Sequence, residues 1–120
     1  MGGFVSCAAD FNDRCTDIFV ENNLVAGAQF AGYVVEGHTC GAYLSSKFKN
    51  NIAQGNKGVG AIIYPENGNT AQQKCFEASY FTAYKNTEDG AVSYFVYDEI
   101  RYSNMIMIDN GQGPTVNAAK

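Results

Sequence analysis

The stretch that decides the predicted fold is GAVSYFVYDEIRYSNMIMIDNG, residues 90–111. Apolar and polar residues alternate over 91–97 and again over 103–109, which is the pattern of half-buried β-strands. Gly90 and Gly111 bound the two runs, and the charged turn DEI separates them. The pattern predicts two adjacent antiparallel strands joined as a hairpin.

One helix-like run and several further strand-like runs lie upstream. Asp17 is a candidate helix N-cap, and apolar residues follow it at helical spacing, which predicts a helix over 17–31. The other strands are predicted at 41–48, 59–64 and 78–84, between turn sequences rich in Gly and Asn. The sequence is interpreted as having no internal repeat. One helix packed on an antiparallel sheet is an α+β domain.

Composition and charge limit the classes of function. The 120 residues fit one domain; residues 1–3 are interpreted as a start methionine with a short added segment, and 4–120 as the domain. A hydrophobic content of 46% favours a folded core, and a formal net charge of −4 opposes general nucleic-acid binding. No run approaches the roughly 18 apolar residues of a membrane-spanning helix, so no membrane association is expected.

The cysteines indicate the compartment. Cys7, Cys15, Cys40 and Cys75 are even in number and widely spaced, without a C-x-x-C pair. Zinc sites usually need closely spaced ligands, so no metal site is predicted. Two disulfides in a small secreted domain is the preferred interpretation, and a cytosolic chain with four free thiols is the alternative. Four cysteines allow three pairings, among which we prefer Cys7 with Cys75 and Cys15 with Cys40.

Four motifs point to a known family. They are YLSSKFKNN (43–51), IYP (63–65), GAVSYFV (90–96) and MIMIDNG (105–111). In order, they resemble the Y-P-H strand with its following Y-N-N, the E-W-P segment, the G-A-D-R-V-V-F segment and the strand ending in H-T-G of the fungal guanyl-specific ribonucleases. The resemblance implies that family's fold, one helix packed on an antiparallel sheet. The chain departs from the family by an inserted segment that contains a cysteine.

The resemblance places the family's catalytic residues on positions that have mostly lost the required chemistry. Tyr43 keeps the family's tyrosine. The first histidine falls on Ser45 and the glutamate base on Ile63. The phosphate-binding arginine falls on Ser93 and the second histidine on Asp109. Because the acid, the base and the cation are missing, the resemblance implies a pseudoenzyme with no catalytic residue and no cofactor.

Few other residues offer chemistry. His38 is the sole histidine and is interpreted as an exposed loop residue, so a mechanism with two histidines is impossible. Tyr43, Lys47 and Phe48 are candidates for weak RNA binding, because they combine aromatic rings with a positive charge. The bland alternative is that the lysine only keeps the surface soluble.

A ribonuclease scaffold without its catalytic residues resembles the ribonuclease-like secreted effectors of powdery mildew fungi and related plant pathogens. The resemblance implies a virulence or avirulence protein that is secreted and then enters the host cell cytoplasm. It would act there as a monomer that binds host plant proteins, with weak RNA binding, and would be detected by an intracellular immune receptor. Two alternatives stay open: an active secreted ribonuclease with a rebuilt site, and an unrelated small secreted disulfide-bonded binding module.

Overall fold

Strands that follow one another along this chain lie in different sheets. The computed structural model describes residues 3–5, 19–36, 38–39, 48–64, 75–96 and 99–118. In chain order the strands are β1 Phe4–Val5, β2 Val20–Glu21, β3 Leu24–Ala26, β4 Ala31–Glu36, β5 His38–Thr39, β6 Phe48–Lys49, β7 Asn51–Gln54, β8 Val59–Tyr64, β9 Cys75–Ser79, β10 Phe81–Tyr84, β11 Asp89–Val96, β12 Glu99–Ser103, β13 Ile106–Ile108 and β14 Gln112–Ala118.

The described strands assemble into four sheets. The sheets have the orders β1-β4-β8-β11-β14, β13-β10-β7-β3, β12-β9-β5 and β2-β6. In the largest sheet Tyr33 pairs with Ala61, Ala61 with Ala91, and Ala91 with Pro114, so equivalent positions are 28, 30 and 23 residues apart. A chain that returns beside itself in parallel after each such coil forms a parallel β-helix.

The predicted α+β fold is wrong. None of the described residues is helical, and the described part of 17–31 forms β2, β3 and the start of β4. The predicted hairpin is wrong as well, since β11 pairs with β8 and β14 while β13 pairs with β10. Among the described strand pairs only β5 with β9 is antiparallel. The two strands of the expected hairpin therefore lie in different sheets of the β-helix.

The positions of the strands were predicted more accurately than the pairing between them. The strand predicted at 59–64 is confirmed as β8. The run at 78–84 divides at Tyr80 into the end of β9 and all of β10. The runs at 91–97 and 103–109 correspond to β11 and, more briefly, β13. Most of the run at 41–48 lies outside the described residues.

The chain also contains an internal repeat, contrary to the sequence interpretation. The repeated segments are NNLVAGA (22–28), NNIAQGN (50–56), YFTAYKN (80–86) and NMIMIDN (104–110). The first residue of each has a positive φ: Asn22, Asn50, Tyr80 and Asn104, at 52–57°. The sixth residue of each segment also has a positive φ: Gly27, Gly55, Lys85 and Asp109, at 51–73°. Each segment thus places one strand of the four-stranded sheet between two left-handed corners, where Asn and Gly are favoured.

The seventh position of the repeat forms a hydrogen-bonded column, here called the asparagine ladder, of Ala28, Asn56, Asn86 and Asn110. The backbone N–H of Ala28 donates to Oδ1 of Asn56 at 2.8 Å. The backbone N–H and Nδ2 of Asn56 donate to Oδ1 of Asn86 at 3.2 and 2.7 Å. The same two donors of Asn86 reach Oδ1 of Asn110 at 3.1 and 2.8 Å. Each of these five bonds runs from one coil to the Oδ1 of the next.

The interior is packed by small side chains and a few aromatic rings. Alanines at the inward positions of the central coils are fully buried: Ala53, Ala61, Ala83 and Ala91. The ring of Tyr33 contacts those of Phe48 and Phe81 edge-on, with centroids 5.4 and 6.0 Å apart. Its hydroxyl donates to the carbonyl oxygens of Asn23 and Ile52. Burial raises the pKa of Tyr33 to about 12.

Candidate interaction surface

The outward side of the four-stranded sheet is rich in exposed apolar side chains. Along β7 the residues alternate between buried and exposed, and β10 and β13 show the same two-residue period. The outward positions from the first coil to the last are Leu24 and Ala26, Ile52 and Gln54, Thr82 and Tyr84, and Ile106 and Ile108. We call these eight side chains the outward face.

The large apolar residues of this face are substantially accessible. Leu24 is 61% exposed, Ile106 is 53% exposed, and Ile108 and Ile52 follow at 44% and 37%. They lie in registered columns, because Leu24 pairs with Ile52 and Thr82 with Ile106. Neighbouring strands in a sheet are about 4.8 Å apart, so the columns form a continuous flat strip across four coils.

The outward face differs in charge from its surroundings. None of the eight outward residues is charged, and the strands that carry them contain no Asp, Glu, Lys or Arg. The neighbouring sheets do carry charged pairs on their surfaces: Lys49 with Glu21 at 3.2 Å, and Arg101 with Glu99 at 2.6 Å. An uncharged strip between charged borders is the usual composition of a protein-binding patch.

A charged rim borders the strip at its second corner. Lys85 lies over the ring of Tyr84, with Nζ 5.2 Å from the centroid. The hydrogen bond to Tyr84 and the charge of Asp109 both raise the pKa of Lys85. The lysine therefore stays protonated and exposed beside the apolar strip, where it can contact a polar group at the edge of a partner.

The structure scatters the positions that the ribonuclease resemblance made catalytic. Ile63 and Ser93 are register partners in β8 and β11, and both are fully buried. Asp109 is exposed at a corner of another sheet. Tyr43 and Ser45 lie outside the described residues. The three described positions are therefore not gathered around a common cleft.

Ser93 has a partly buried polar partner. Its Oγ lies 2.5 Å from the hydroxyl of Tyr102. Burial raises the pKa of Tyr102, while the bond to Ser93 opposes the rise. Both groups are therefore neutral near physiological pH, and the pair satisfies two interior hydroxyls without supplying a base.

The RNA-binding candidates are only partly described. Phe48 is 1% exposed and its ring packs against Tyr33 and Phe81, so that ring is not available to stack on a base. Lys47 and Tyr43 lie outside the described residues. His38 pairs with Glu77 across β5 and β9.

The cysteine and metal predictions stay predictions. Cys75 begins β9, and Cys7, Cys15 and Cys40 lie outside the described residues. Within the described ranges no three His, Cys, Asp or Glu side chains are grouped so that they could hold a metal ion. None of these ranges contains a helix long and apolar enough to cross a membrane.

Sequence reasoning overlooked the outward face, although a signal for it exists. The repeated segments place an apolar residue directly after an Asn pair in NNL (22–24) and NNI (50–52), and two positions after Asn in NMI (104–106). Aligning them at their left-handed corners would have put Leu24, Ile52 and Ile106 in one column. An apolar residue that recurs on the outside of three of these four coils is a candidate for binding, because packing does not require it there.

Comparisons with known proteins give one similarity. No family model matches the chain, and no solved structure matches it significantly. The chain is similar to a segment of fibrocystin from the dog, Canis lupus familiaris, with 30% identity over 101 residues, or 84% of this chain. The chain spans about 2% of the length of that relative.

Proposed function

We propose that this chain is a non-catalytic β-helical binding module whose outward face docks an apolar surface of a protein partner. The single observation that carries the proposal is the registered strip of exposed, uncharged side chains that includes Leu24, Ile106 and Ile108. Burying apolar surface contributes about 25 cal/mol per Å², so a strip of this kind gains free energy when a partner covers it.

The absence of charge favours a protein over RNA as the partner. Affinity for nucleic acid comes largely from cations that neutralise phosphates, and the strands of the outward face carry none. The formal net charge of −4 opposes phosphate binding further. A flat apolar strip with a lysine at its rim instead suits a partner with apolar side chains at its centre and acceptors at its edge.

The effector expectation remains untested. It assigned the ribonuclease family's catalytic residues to positions of this chain by assuming an α+β scaffold, and the chain folds differently. Of the interpretations left open by the sequence, the small secreted binding module is the one that a β-helix with an exposed apolar strip supports. The similarity to about 2% of a much longer protein is also what a module would give.

The test compares two triple variants of the full chain. The first replaces Leu24, Ile106 and Ile108 by Thr. Thr is chosen because Thr82 already occupies an outward position of the same sheet. The matched control replaces by Thr the exposed residues Lys57, Glu99 and Arg101, none of which belongs to the four strands of the outward face. Exposed substitutions of this kind usually change stability by only about 0.5 kcal/mol, so both variants should fold.

Partners are captured from the cells that produce the chain, with a photo-cross-linking amino acid at Ile52. We expect proteins that cross-link to the unmodified chain and to the control variant but bind at least tenfold more weakly to the face variant. Circular dichroism and urea unfolding confirm that all three chains are folded. If the face variant keeps every cross-linked partner, the proposal is wrong.

A further inference from the structure

One asparagine of the ladder, Asn110, is followed directly by a glycine. An Asn-Gly pair is the sequence in which asparagine loses its side-chain nitrogen most readily, because glycine has no Cβ to hinder attack by its own backbone nitrogen. The ladder asparagines of the two preceding coils are followed by residues with side chains, in the pairs Asn56–Lys57 and Asn86–Thr87. Among the ladder residues, Asn110 therefore has the highest intrinsic reactivity.

Packing between coils requires the glycine that makes Asn110 reactive. A Cβ at Gly111 would overlap the carbonyl oxygen of Thr87 in the preceding coil. The backbone N–H of Gly111 donates to the carbonyl oxygen of Asn86 at 3.1 Å. Because two backbones approach this closely, no residue with a side chain fits at position 111. The fold itself therefore places a reactive pair of residues directly before β14.

The side chain of Asn110 is held by three hydrogen bonds to earlier residues. Its Oδ1 accepts from the backbone N–H and from Nδ2 of Asn86, at 3.1 and 2.8 Å. Its Nδ2 donates to the carbonyl oxygen of Ala83 at 2.9 Å. The N–H of Gly111 makes a fourth bond, to the carbonyl oxygen of Asn86. Both the carboxamide that would be attacked and the nitrogen that would attack it are therefore held by the preceding coil.

Loss of the side-chain nitrogen requires these bonds to break, since the nitrogen of Gly111 must approach Cγ of Asn110 in an attack geometry. The nitrogen of Gly111 gives its proton to solvent and bonds to Cγ, which closes a succinimide ring. The bond between Cγ and Nδ2 breaks, and Nδ2 takes a proton from solvent and leaves as ammonia. Water then opens the ring at either of its carbonyl groups and yields aspartate or isoaspartate. In sum, one water is consumed and one ammonia is released, without oxidation or reduction.

From the reactive pair and the four bonds that hold it, we propose that Asn110 is a deamidation site that the asparagine ladder keeps closed. The site opens when the coil formed by β12, β13 and β14, here called the β13 coil, detaches from the coil before it. Local openings of this kind occur in folded proteins below the cost of global unfolding. Each hydrogen bond favours the closed arrangement by a factor of roughly five, so four bonds predict protection of about a hundredfold or more.

The modification prevents the β13 coil from closing again in its original register. Aspartate has an oxygen in place of Nδ2, and this oxygen would face the carbonyl oxygen of Ala83. Isoaspartate adds one carbon atom to the main chain before Gly111, directly ahead of the first β14 pair, Asp89 with Gln112. The hydrogen bonds of Gly111 and Gln112 to the preceding coil then lose their alignment. A modified chain therefore keeps a permanent record that its β13 coil has been open.

The test follows deamidation of the full chain in mildly alkaline buffer, with the folded chain in one sample and the chain unfolded in urea in the other. Liquid chromatography with mass spectrometry separates asparagine, aspartate and isoaspartate in the peptides of each sample. In the unfolded chain, Asn110 should react about as fast as Asn67, which also precedes a glycine, and faster than Asn56 and Asn86. In the folded chain, Asn110 should react about a hundredfold more slowly than in urea, or more slowly still.

Two variants separate opening of the β13 coil from unfolding of the whole chain. Asn86→Ala removes the Nδ2 bond to Asn110, and the folded variant should deamidate at Asn110 at least tenfold faster than the unmodified chain. The matched control is Asn51→Ala, which removes a buried carboxamide that bonds to Val20 and Asn23 instead. It should leave the rate at Asn110 within about twofold, and urea unfolding confirms that both variants are folded.

Three results would overturn the proposal. The first is an equal rate at Asn110 in the folded and the unfolded chain, since the ladder would then give no protection. The second is an unfolded chain in which Asn110 reacts no faster than Asn86, since the pair with glycine would then not be reactive. The third is equal acceleration by Asn86→Ala and Asn51→Ala, because unfolding of the whole chain would then control the reaction.

Discussion

Replacing Asn86 by Ala tests whether the asparagine ladder holds the coils together. Asn86 is 2% exposed and its side chain makes four hydrogen bonds to the coils on either side. The substitution leaves the backbone N–H and Nδ2 of Asn56 without their acceptor in a buried site. Each buried donor without a partner costs about 1–3 kcal/mol, so we expect the free energy of unfolding to fall by about 3–5 kcal/mol.

The loss expected for Asn86→Ala is a large part of the total free energy of unfolding, which is about 5–15 kcal/mol for a chain of this size. The assay is urea unfolding followed by circular dichroism, with the slope against urea compared between variants to confirm that the same surface is exposed. Asn110→Ala is the matched control, because it removes the same acceptor at the half-buried end of the ladder, where water can replace it. We expect about 1–2 kcal/mol there. A cost for Asn86→Ala below about 1 kcal/mol, or no larger than that of Asn110→Ala, would refute the reasoning.

Three further results are expected. Gly60→Ala should destabilise the chain by about 1–3 kcal/mol, because its Cβ would overlap a backbone oxygen, whereas Gly113→Ala should change the unfolding midpoint in urea very little. Because burial raises the pKa of Tyr33 to about 12 from an unfolded value of about 10, the contribution of Tyr33 to stability should be constant below pH 10 and fall by about 1.4 kcal/mol per unit between pH 10 and 12; in Tyr33→Phe the alkaline loss of stability should be smaller by that amount. The intact mass of the chain should be four hydrogens below that of the reduced chain if the two predicted disulfides form, and a titration that finds four thiols would contradict this.

The helix over 17–31 was mispredicted because apolar residues from three short strands recur there at a spacing that resembles a helical period. Val20, Leu24 and Ala31 of that stretch belong to β2, β3 and β4, which are separated by residues at positive φ. Asn22 and Gly27 occupy these corners, at 57° and 73°. Both residue types tolerate the left-handed region, so their recurrence in the later repeats was the better indicator.

The pairing of the strands was mispredicted for a different reason. The alternation in 91–97 correctly predicted a strand, but alternation does not say which neighbour the strand takes. Gly90 was interpreted as the end of a strand, whereas it lies inside β11, where a Cβ would overlap the sulfur of Met107 in the next coil. Only alignment of the chain with itself reveals this, since partners in a β-helix are one coil apart and not adjacent in sequence.

The candidate site was unpredictable from motifs because it contains no reactive residue. The interpretation of Ile63 and Ser93 as former catalytic positions relied on an assumed fold, and in this fold both are fully buried register partners. The outward face is defined only by which side of a strand a residue occupies. That property follows from the corners at each end of β7, β10 and β13, and so it becomes readable once the repeat is aligned.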